Sequence, residues 1–289
     1  MEGLCVIAGR TADSQGRVGD RTLIGSLSEL LAEPFGVDDT QIIERVKKAN
    51  SYFDVFVHQL DDVKDNQANG AALAHEAITN LIKGIRYIRC VKKRDVLFDR
   101  LFGYWQQASE GEKHLWRHHG KLMPYDSQDF LMLGRRGAMA KTPIALYADA
   151  SQNDSPVLSL EKGIEEGGIA VQLCDDIFDW EKDLASRIYT HPIVLAFQET
   201  GSLDKQQIER TLFSSKVFPS LINNINHYLT RAKESFELAS ANKLGFCVQG
   251  MGDNLSYLAQ YLGELESKII RDNLTKRVME KANPLVLNH

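Results

Sequence analysis

Apolar residues recur at three- and four-residue intervals along almost the whole chain, and this helical spacing most restricts the fold. Alternating runs typical of strands are scarce, and only seven prolines interrupt the 289 residues. The stretch "DDTQIIERVKKANSYFDVFVHQLDDVKD" (38–65) opens on a candidate aspartate cap and continues without a helix breaker. Further helical stretches are predicted at 23–36, 70–109, 159–184, 218–240 and 245–274. The sequence therefore predicts an all-α fold of many long helices.

The organisation of the chain favours a single domain. No internal repeat, low-complexity tract or interdomain linker is evident. Short loops are expected at 67–70, 120–128, 150–156 and 199–204. We predict a weakly structured N-terminus at 1–18 and one helical domain over 19–289.

Composition excludes several classes of function. A net charge of −5 and a pI near 5.9 argue against a nucleic-acid partner, which would require a basic face. The sequence has no run of 18 apolar residues, so no transmembrane segment is predicted. The N-terminus lacks the basic start of a secretory signal, so no such signal is expected. The cysteines at 5, 90, 174 and 247 are widely spaced, which predicts free thiols in a reducing cytoplasm.

Negative charge is concentrated in the run "VQLCDDIFDWEKDLASR" (171–187). Asp175, Asp179 and Asp183 are four residues apart, and Asp176 lies beside the first of them. Carboxylates at this spacing share a helix face and repel each other by roughly a few tenths of a kcal/mol per pair. The pattern therefore indicates either a bound cation or a solvated acidic surface.

A second acidic cluster lies upstream in "HQLDDVKDNQANG" (58–70), where Asp61 and Asp65 are also four apart and Asp62 lies between them. Each cluster alone fits a solvated helix face. Both clusters, however, have apolar neighbours rather than a lysine- and glutamate-rich setting. Carboxylates among apolar residues need compensating cations, and Mg²⁺ suits oxygen ligands and often joins carboxylates to phosphate.

Together these elements resemble the class I isoprenoid synthases, especially the trans-prenyl diphosphate synthases. DDxxD at 61–65 and "QLCDDIFD" at 172–179 resemble their two aspartate-rich motifs, and Lys141-Thr142 in "GAMAKTPIALYADA" resembles the intervening KT motif. The similarity spans roughly residues 19–200, with a compatible helical tail. It implies a single-domain helical bundle in which both acidic motifs face a central active-site cavity.

The resemblance also implies a Mg²⁺-dependent reaction. It makes Asp61 and Asp65 ligands of two Mg²⁺ ions and Asp175 a ligand of a third, with Asp179 and Asp183 completing the metal-binding set. The catalytic aspartates expected from the two motifs are Asp61, Asp62, Asp65, Asp175, Asp176 and Asp179. A prenyl diphosphate ionises only when the charge of the leaving diphosphate is neutralised, which metal ions and basic side chains achieve electrostatically.

Several other residues are expected to bind substrate. By resemblance Lys141 is the partner of the diphosphate, and bulky residues such as Phe53 and Phe56 floor the pocket, although core packing is their default role. The predicted substrate-binding set is Lys141, Thr142, Gln172, Arg135, Arg136, Arg187, Phe53 and Phe56. Each of the three arginines in this set fits a surface role equally well.

Two stretches depart from the chain-elongating pattern. The stretch "RVGDRT" (17–22) has Asp20 where a lysine of a GGKR-like motif is expected, and "NQANGAALAHEA" (66–77) lacks the usual arginine pair. The sequence therefore predicts that the anchor for a second, five-carbon diphosphate is missing. The aspartate spacing at 175–183 also matches the second metal motif of class I terpene cyclases. The arginine–tyrosine pair common near the C-terminus of many microbial cyclases is not evident in 240–289.

We therefore expect a class I terpene synthase that ionises one linear C15 or C20 prenyl diphosphate to a cyclic or rearranged terpene. The alternatives are a chain-elongating transferase of the polyprenyl or geranylgeranyl diphosphate synthase type and a non-catalytic helical partner subunit. Expected cofactors are three Mg²⁺ ions. We expect a cytoplasmic protein with no nucleic-acid partner, and a homodimer is left open as its assembly.

Two further features allow competing interpretations. His114, His118 and His119 have spacing that could bind a metal, but no accompanying glutamate motif supports this, so we expect an exposed, structural role. Pro143 indicates either a kink within a helix or a helix end, since proline lacks the backbone N–H.

Overall fold

The computed structural model describes residues 11–12, 18–19, 23–65, 70–87, 94–261 and 263–264, and these residues are almost entirely helical. The helices are α1 (Leu23–Leu30), α2 (Thr40–Asp65), α3 (Gly70–Tyr87), α4 (Arg94–Leu115), α5 (Ser127–Arg136), α6 (Thr142–Ser151), α7 (Val157–Phe178), α8 (Trp180–Ala185), α9 (His191–Thr200), α10 (Lys205–Leu212), α11 (Val217–Leu238) and α12 (242–261). Short 3₁₀ turns lie at Glu33–Phe35, Trp116–His118 and Ala138–Lys141. Strands β1 (Thr11–Ala12) and β2 (Val18–Gly19) form a two-residue antiparallel pair. The predicted all-α fold is confirmed.

Local sequence signals set the helix ends near the predicted site. Asp126 caps α5 by accepting from the backbone amides of Gln128 and Asp129, and the Asp129 side chain accepts in return from the amide of Asp126. Such a reciprocal capping box satisfies backbone donors that the first helical turn leaves unpaired. Pro143 lies in the first turn of α6, where its missing N–H costs no hydrogen bond, so it begins this helix and does not kink one.

Helix α7 lies at the centre of the described structure and packs along α11, α5 and α6. Leu160 and Leu173 on α7 are fully buried in one continuous core. A Cβ at Gly163 would come within 2.5 Å of the Phe236 ring on α11, and one at Gly134 within 2.5 Å of a backbone oxygen of α7. Glycine at these two positions therefore permits the close approach that fixes α7 between its neighbours.

The first acidic motif lies at the end of α2, which packs along α3. The backbone of Asp61, Asp62 and Asp65 is helical, as predicted, but their side chains lie outside the described part of the structure. Residues 1–10, 13–17 and 265–289 also lie outside it. The domain over 19–289 and the weakly structured segment 1–18 therefore stay predictions.

Two further expectations concern membranes and thiols. Among the described helices, none combines the length and apolar character needed to cross a bilayer. Cys174 and Cys247 are free, as predicted, while Cys5 and Cys90 lie outside the described residues. Burial raises the pKa of the Cys174 thiol to about 12, which makes it an inert core residue.

Candidate active site

The second acidic motif forms a ladder of carboxylates across the junction of α7 and α8. Helix α7 ends at Phe178 and α8 begins at Trp180, and Asp179 joins them. The prediction of one helix over 159–184 is therefore wrong at Asp179. The amide of Asp179 still donates to the Asp175 carbonyl at 2.8 Å, and that of Asp183 donates to the Asp179 carbonyl at 2.9 Å. The three aspartates therefore follow one another on successive turns, as their spacing predicted.

The electrostatics of this acidic ladder call for a cation. Burial, together with the charges of Asp179 and Asp175, raises the pKa of Asp183 to about 6. Burial and the charge of Asp183 raise the pKa of Asp176 to about 8. The Gln172 amide donates to Asp176 Oδ1 at 3.3 Å, but the buried Asp176 Oδ2 has no partner. The C-terminal end of α7 also carries partial negative charge, and among the described residues the charges of Arg136 and Lys182 offset the raised pKa values only in part.

The donor set at the acidic ladder fits Mg²⁺ in part. Among the described residues, no three histidine, cysteine, aspartate or glutamate side chains converge closely enough to hold a metal by themselves. Mg²⁺ in proteins is commonly bound by one or two carboxylates plus phosphate oxygens and water. One or two of the carboxylates of Asp175, Asp179 and Asp183 can therefore supply ligands from one side, and the other positions around the ion would be left to water and phosphate oxygens.

Of the three predicted arginines, Arg136 is the one that the structure brings to the acidic ladder. Its positive charge acts to lower the pKa of both Asp176 and Asp183, while its Nε donates to Glu112 at 2.9 Å. Arg135 pairs instead with Glu110 at 3.9 Å. Arg187 is exposed and holds a left-handed backbone with φ of 57°. Of the three predicted arginines, Arg136 is thus the candidate partner for an anionic ligand at the ladder, and Lys182 of α8 also acts to lower the pKa of Asp183.

The KT dipeptide is built into the interior of the bundle. Lys141 is buried, and its ammonium donates to Glu165 at 2.9 Å and to Gln107 at 3.0 Å. Thr142 is also fully buried, and its hydroxyl donates to the carbonyl of Met139 at 2.7 Å. The role of Lys141 as a diphosphate ligand stays a prediction, and in this structure a carboxylate of α7 already neutralises its charge.

The two predicted pocket phenylalanines pack inside the bundle. Phe53 is buried against Gly84 of α3, and the Phe56 ring lies 5.7 Å from that of Trp105 on α4. Three cavities of about 90, 220 and 370 Å³ open on the described structure, but none is lined by a predicted site residue. The role of Phe53 and Phe56 as a pocket floor therefore stays a prediction.

A buried polar cluster beside the acidic ladder was not expected. Asp129 is fully buried and accepts from the Nε2 atoms of His114 and His118, both at 3.0 Å, and from Arg117 at 2.5 Å. The expected exposed role is wrong for His118, because its ring lies under Tyr125 at 4.1 Å. Burial raises the pKa of the Tyr125 hydroxyl, as do the charges of Asp176, Asp129 and Asp183, so this tyrosine lies near the ladder.

Sequence reasoning could have found only part of this cluster. The spacing Asp126-x-x-Asp129 signals a helix start. The pairing of Asp129 with histidines 11 and 15 residues earlier depends on how α4 and α5 fold back on each other, which no local pattern reveals.

Stability should depend on pH through His191, at the start of α9. Burial lowers its pKa from 6.5 to about 4, partly offset by the charge of Asp129. Between these values the unfolded chain binds a proton that the folded chain does not, so stability falls as pH falls. We expect this group alone to lower the free energy of unfolding by about 2 kcal/mol between pH 7.5 and pH 5.

Urea unfolding of wild type and His191→Gln at both pH values checks this dependence. The variant should lose less stability on acidification, and the difference between the two chains cancels other titrating groups such as Asp183. His227→Gln, which changes an exposed histidine, is the control. An identical loss in wild type and His191→Gln would contradict the prediction.

Comparison with solved structures identifies the fold. No family model matches the chain, and no curated protein sequence matches it significantly. A decaprenyl diphosphate synthase from Rhodobacter capsulatus superposes with a TM-score of 0.65 at 14% identity, covering 82% of this chain and 84% of that one. A geranylgeranyl pyrophosphate synthetase from Geoglobus acetivorans gives a TM-score of 0.62 at 19% identity over 90% of both chains. A polyprenyl synthase from Roseobacter denitrificans gives 0.59 at 15% identity, covering 90% and 94%.

These likenesses establish an architecture. The chain shares the all-α fold of these prenyl synthase structures, as its sequence predicted. At identities of 14–19% the similarity concerns the fold, and the chemistry of this chain has to be argued from its own residues.

Proposed function

We propose that the chain is an enzyme that binds a linear prenyl diphosphate through Mg²⁺ ions and ionises it. The observation that carries the proposal is the acidic ladder at the end of α7, with the orphaned Asp176 Oδ2 beside it, in the fold of prenyl diphosphate synthases. Bound Mg²⁺ would supply the charge that stabilises the leaving diphosphate.

In this proposal the residues of the chain hold the diphosphate and keep its charge balanced. Asp175, Asp179 and Asp183 present oxygens on successive turns towards the ions. Arg136, whose charge already reaches the ladder, is a candidate donor for diphosphate oxygens. Because the ladder lies where burial raises carboxyl pKa values, a charged ligand there interacts strongly with its partners.

For the reaction that follows ionisation of the prenyl diphosphate, prenyl transfer is the first candidate. All three solved structures are named as synthases of prenyl diphosphates or polyprenyl products, which supports chain elongation better than cyclisation. A terpene synthase acting on a C15 or C20 diphosphate is the second candidate. Asp20 and the arginine-free stretch 66–77 favour it, since both remove cations that a second diphosphate would need.

Product analysis separates these functions. The pure protein is incubated with Mg²⁺ and C10, C15 or C20 allylic diphosphate, with and without a labelled C5 homoallylic diphosphate. Prenyl transfer predicts labelled, longer diphosphates and pyrophosphate release that depends on the C5 unit. A terpene synthase would release pyrophosphate without it and yield an extractable hydrocarbon or alcohol.

A third outcome would reject both enzymatic functions. If no pyrophosphate is released from any substrate, the remaining alternative is a non-catalytic partner subunit. The complete ladder of Asp175, Asp179 and Asp183 argues against that role, because a subunit that binds no metal has no need to keep mutually repelling carboxylates.

The cellular setting follows from the same proposal. We infer a cytoplasmic enzyme that takes prenyl diphosphates and has no nucleic-acid partner. A homodimer is supported by the exposed side chains of Ile78, Ile82 and Ile85, which form an apolar face on α3 that a second copy would cover.

A further inference from the structure

The side chain of Asp129 connects the end of α4, the 3₁₀ turn at Trp116–His118 and the start of α5. Its Oδ1 accepts from His114, in the last turn of α4, and from His118, in the following 3₁₀ turn, both at 3.0 Å. Its Oδ2 accepts from Arg117 at 2.5 Å and from the amide of Asp126 at 2.9 Å. Burial favours the neutral carboxyl, but these hydrogen bonds outweigh it and hold the pKa of Asp129 well below its usual range. The carboxylate is therefore charged and fully used.

The turn that Asp129 fixes is hydrogen-bonded to the segment that follows the acidic ladder. The amide of Gly120 donates to the Arg187 carbonyl at 2.7 Å, and the amide of Tyr189 donates to the His118 carbonyl at 3.4 Å. His119 and Ile188 form an antiparallel bridge between these contacts. We call residues 118–120 and 187–189, paired in this way, the backbone clamp.

The clamp reaches the ladder itself through the main chain. The amide of Ile188 donates to the carbonyl of Asp183 at 2.8 Å, so the backbone position of the last aspartate depends on this segment. Arg187, within the clamp, holds a left-handed backbone that a non-glycine residue adopts only when its surroundings impose it. The amides of Arg187 and Ile188 donate to the carbonyls of Leu184 and Asp183 and so form the C-terminal cap of α8, which sets this conformation. The contacts of Gly120 and His118 hold that cap from the other side.

Ring contacts make a second connection. The His118 ring stacks on Tyr125 with centroids 4.1 Å apart, and Tyr125 contacts His191 at 5.4 Å. The charges of Asp176 and Asp183 both act on the Tyr125 hydroxyl, which places it beside the ladder. Fixing His118 therefore fixes the turn that follows the carboxylates and also a ring whose hydroxyl is within reach of their charge.

We propose that Asp129 is a positioning residue for the acidic ladder: by holding His118 it sets the backbone clamp and Tyr125, and through them the place of Asp183. Asp129 does not touch the ligand in this account. The effect on metal binding rests on the proposed function, whereas the effect on the clamp does not.

Two variants test the proposal by two measurements. Asp129→Asn keeps the size of the side chain but removes its charge, and His118→Phe keeps the stacking on Tyr125 but removes the bond to Asp129. Hydrogen exchange of the amides of Gly120, Ile188 and Tyr189 reports the clamp. Calorimetric titration with Mn²⁺ in the presence of inorganic diphosphate reports the ladder without any turnover.

Two control variants separate this role from simple destabilisation. Asp204→Ala removes another helix-capping side chain, which accepts from the Gln207 amide at 3.0 Å far along the chain. Ile208→Val trims a fully buried core residue of α10. Neither residue belongs to the clamp or the ladder.

We expect exchange at the three clamp amides to be at least tenfold faster in both test variants, and Mn²⁺ to bind at least tenfold more weakly. Both controls should behave as wild type.

Unchanged exchange, or faster exchange with unchanged Mn²⁺ affinity, would overturn the positioning role. If wild type itself binds no Mn²⁺, the proposed function fails, and exchange at Ile188, whose amide holds Asp183, decides the positioning role alone. Should Asp129→Asn not fold, His118→Phe still gives the same decision.

Discussion

Asp175→Ala should abolish the release of pyrophosphate from an allylic prenyl diphosphate while leaving the helices intact. The substitution removes an oxygen ligand that we assign to Mg²⁺, and with it charge stabilisation of the leaving group, so kcat/KM should fall at least about a hundredfold. The fold should not suffer, because Asp175 raises the pKa of Asp183 by repulsion and its loss relieves that strain. Circular dichroism and thermal unfolding check the fold, and pyrophosphate release at several Mg²⁺ concentrations checks the activity.

Two companion variants sharpen this result. Asp61→Ala, in the first motif, should have the same effect, whereas Asp99→Ala changes an exposed aspartate of α4 and should leave activity as in wild type. If Asp175→Ala and Asp61→Ala both keep wild-type activity at every Mg²⁺ concentration, the aspartates are not metal ligands. The acidic ladder would then be a solvated helix junction.

Local sequence signals account for the longer helices and for the spacing of the ladder, whereas α5, α6, α9 and α10 lie between the predicted stretches. Apolar periodicity predicted α2 and α7, and the interval of four residues between Asp175, Asp179 and Asp183 survives in the structure because the hydrogen bonds at the junction keep that interval. The break at Asp179 was not foreseen. Its φ and ψ of −91° and 6° lie in the bridge region, which does not require glycine. No proline or glycine therefore marks the end of α7 in the sequence.

The charge balance of the site could not be read from the sequence. Arg135 and Arg136 are adjacent and chemically identical, yet only the charge of Arg136 acts on the ladder, because successive residues of a helix point about 100° apart. Likewise Lys141 and Glu165 are 24 residues apart, and their pairing depends on the packing of α7 against the 3₁₀ turn before α6. Side-chain pairing across elements is set by tertiary packing, which periodicity does not encode.

Lys141→Ala should lower the free energy of unfolding by about 3 kcal/mol, the cost of breaking a largely buried ion pair. The substitution leaves Glu165 without its ammonium partner and empties a buried site that Gln107 and Tyr104 line. Lys47→Ala is the matched control, because Lys47 likewise forms ion pairs with carboxylates, those of Glu29 and Glu44, but at an exposed site where solvent screens them. Urea unfolding should show a large loss for the first variant and almost none for the second.

The double variant Lys141→Met with Glu165→Leu separates folding from ligand binding. Replacing both partners by apolar residues of similar size removes the unpaired charge, so most of the lost stability should return. Calorimetry with inorganic pyrophosphate and Mg²⁺ can then be performed on a folded chain that lacks the ammonium. If Lys141 also grips the diphosphate, affinity should fall by roughly ten- to a hundredfold, because a hydrogen bond to a charged group contributes about 1.5–3 kcal/mol. Wild-type affinity in the double variant would show that this lysine serves the fold alone, and the charge of the leaving group would then have to be met by Mg²⁺ and Arg136.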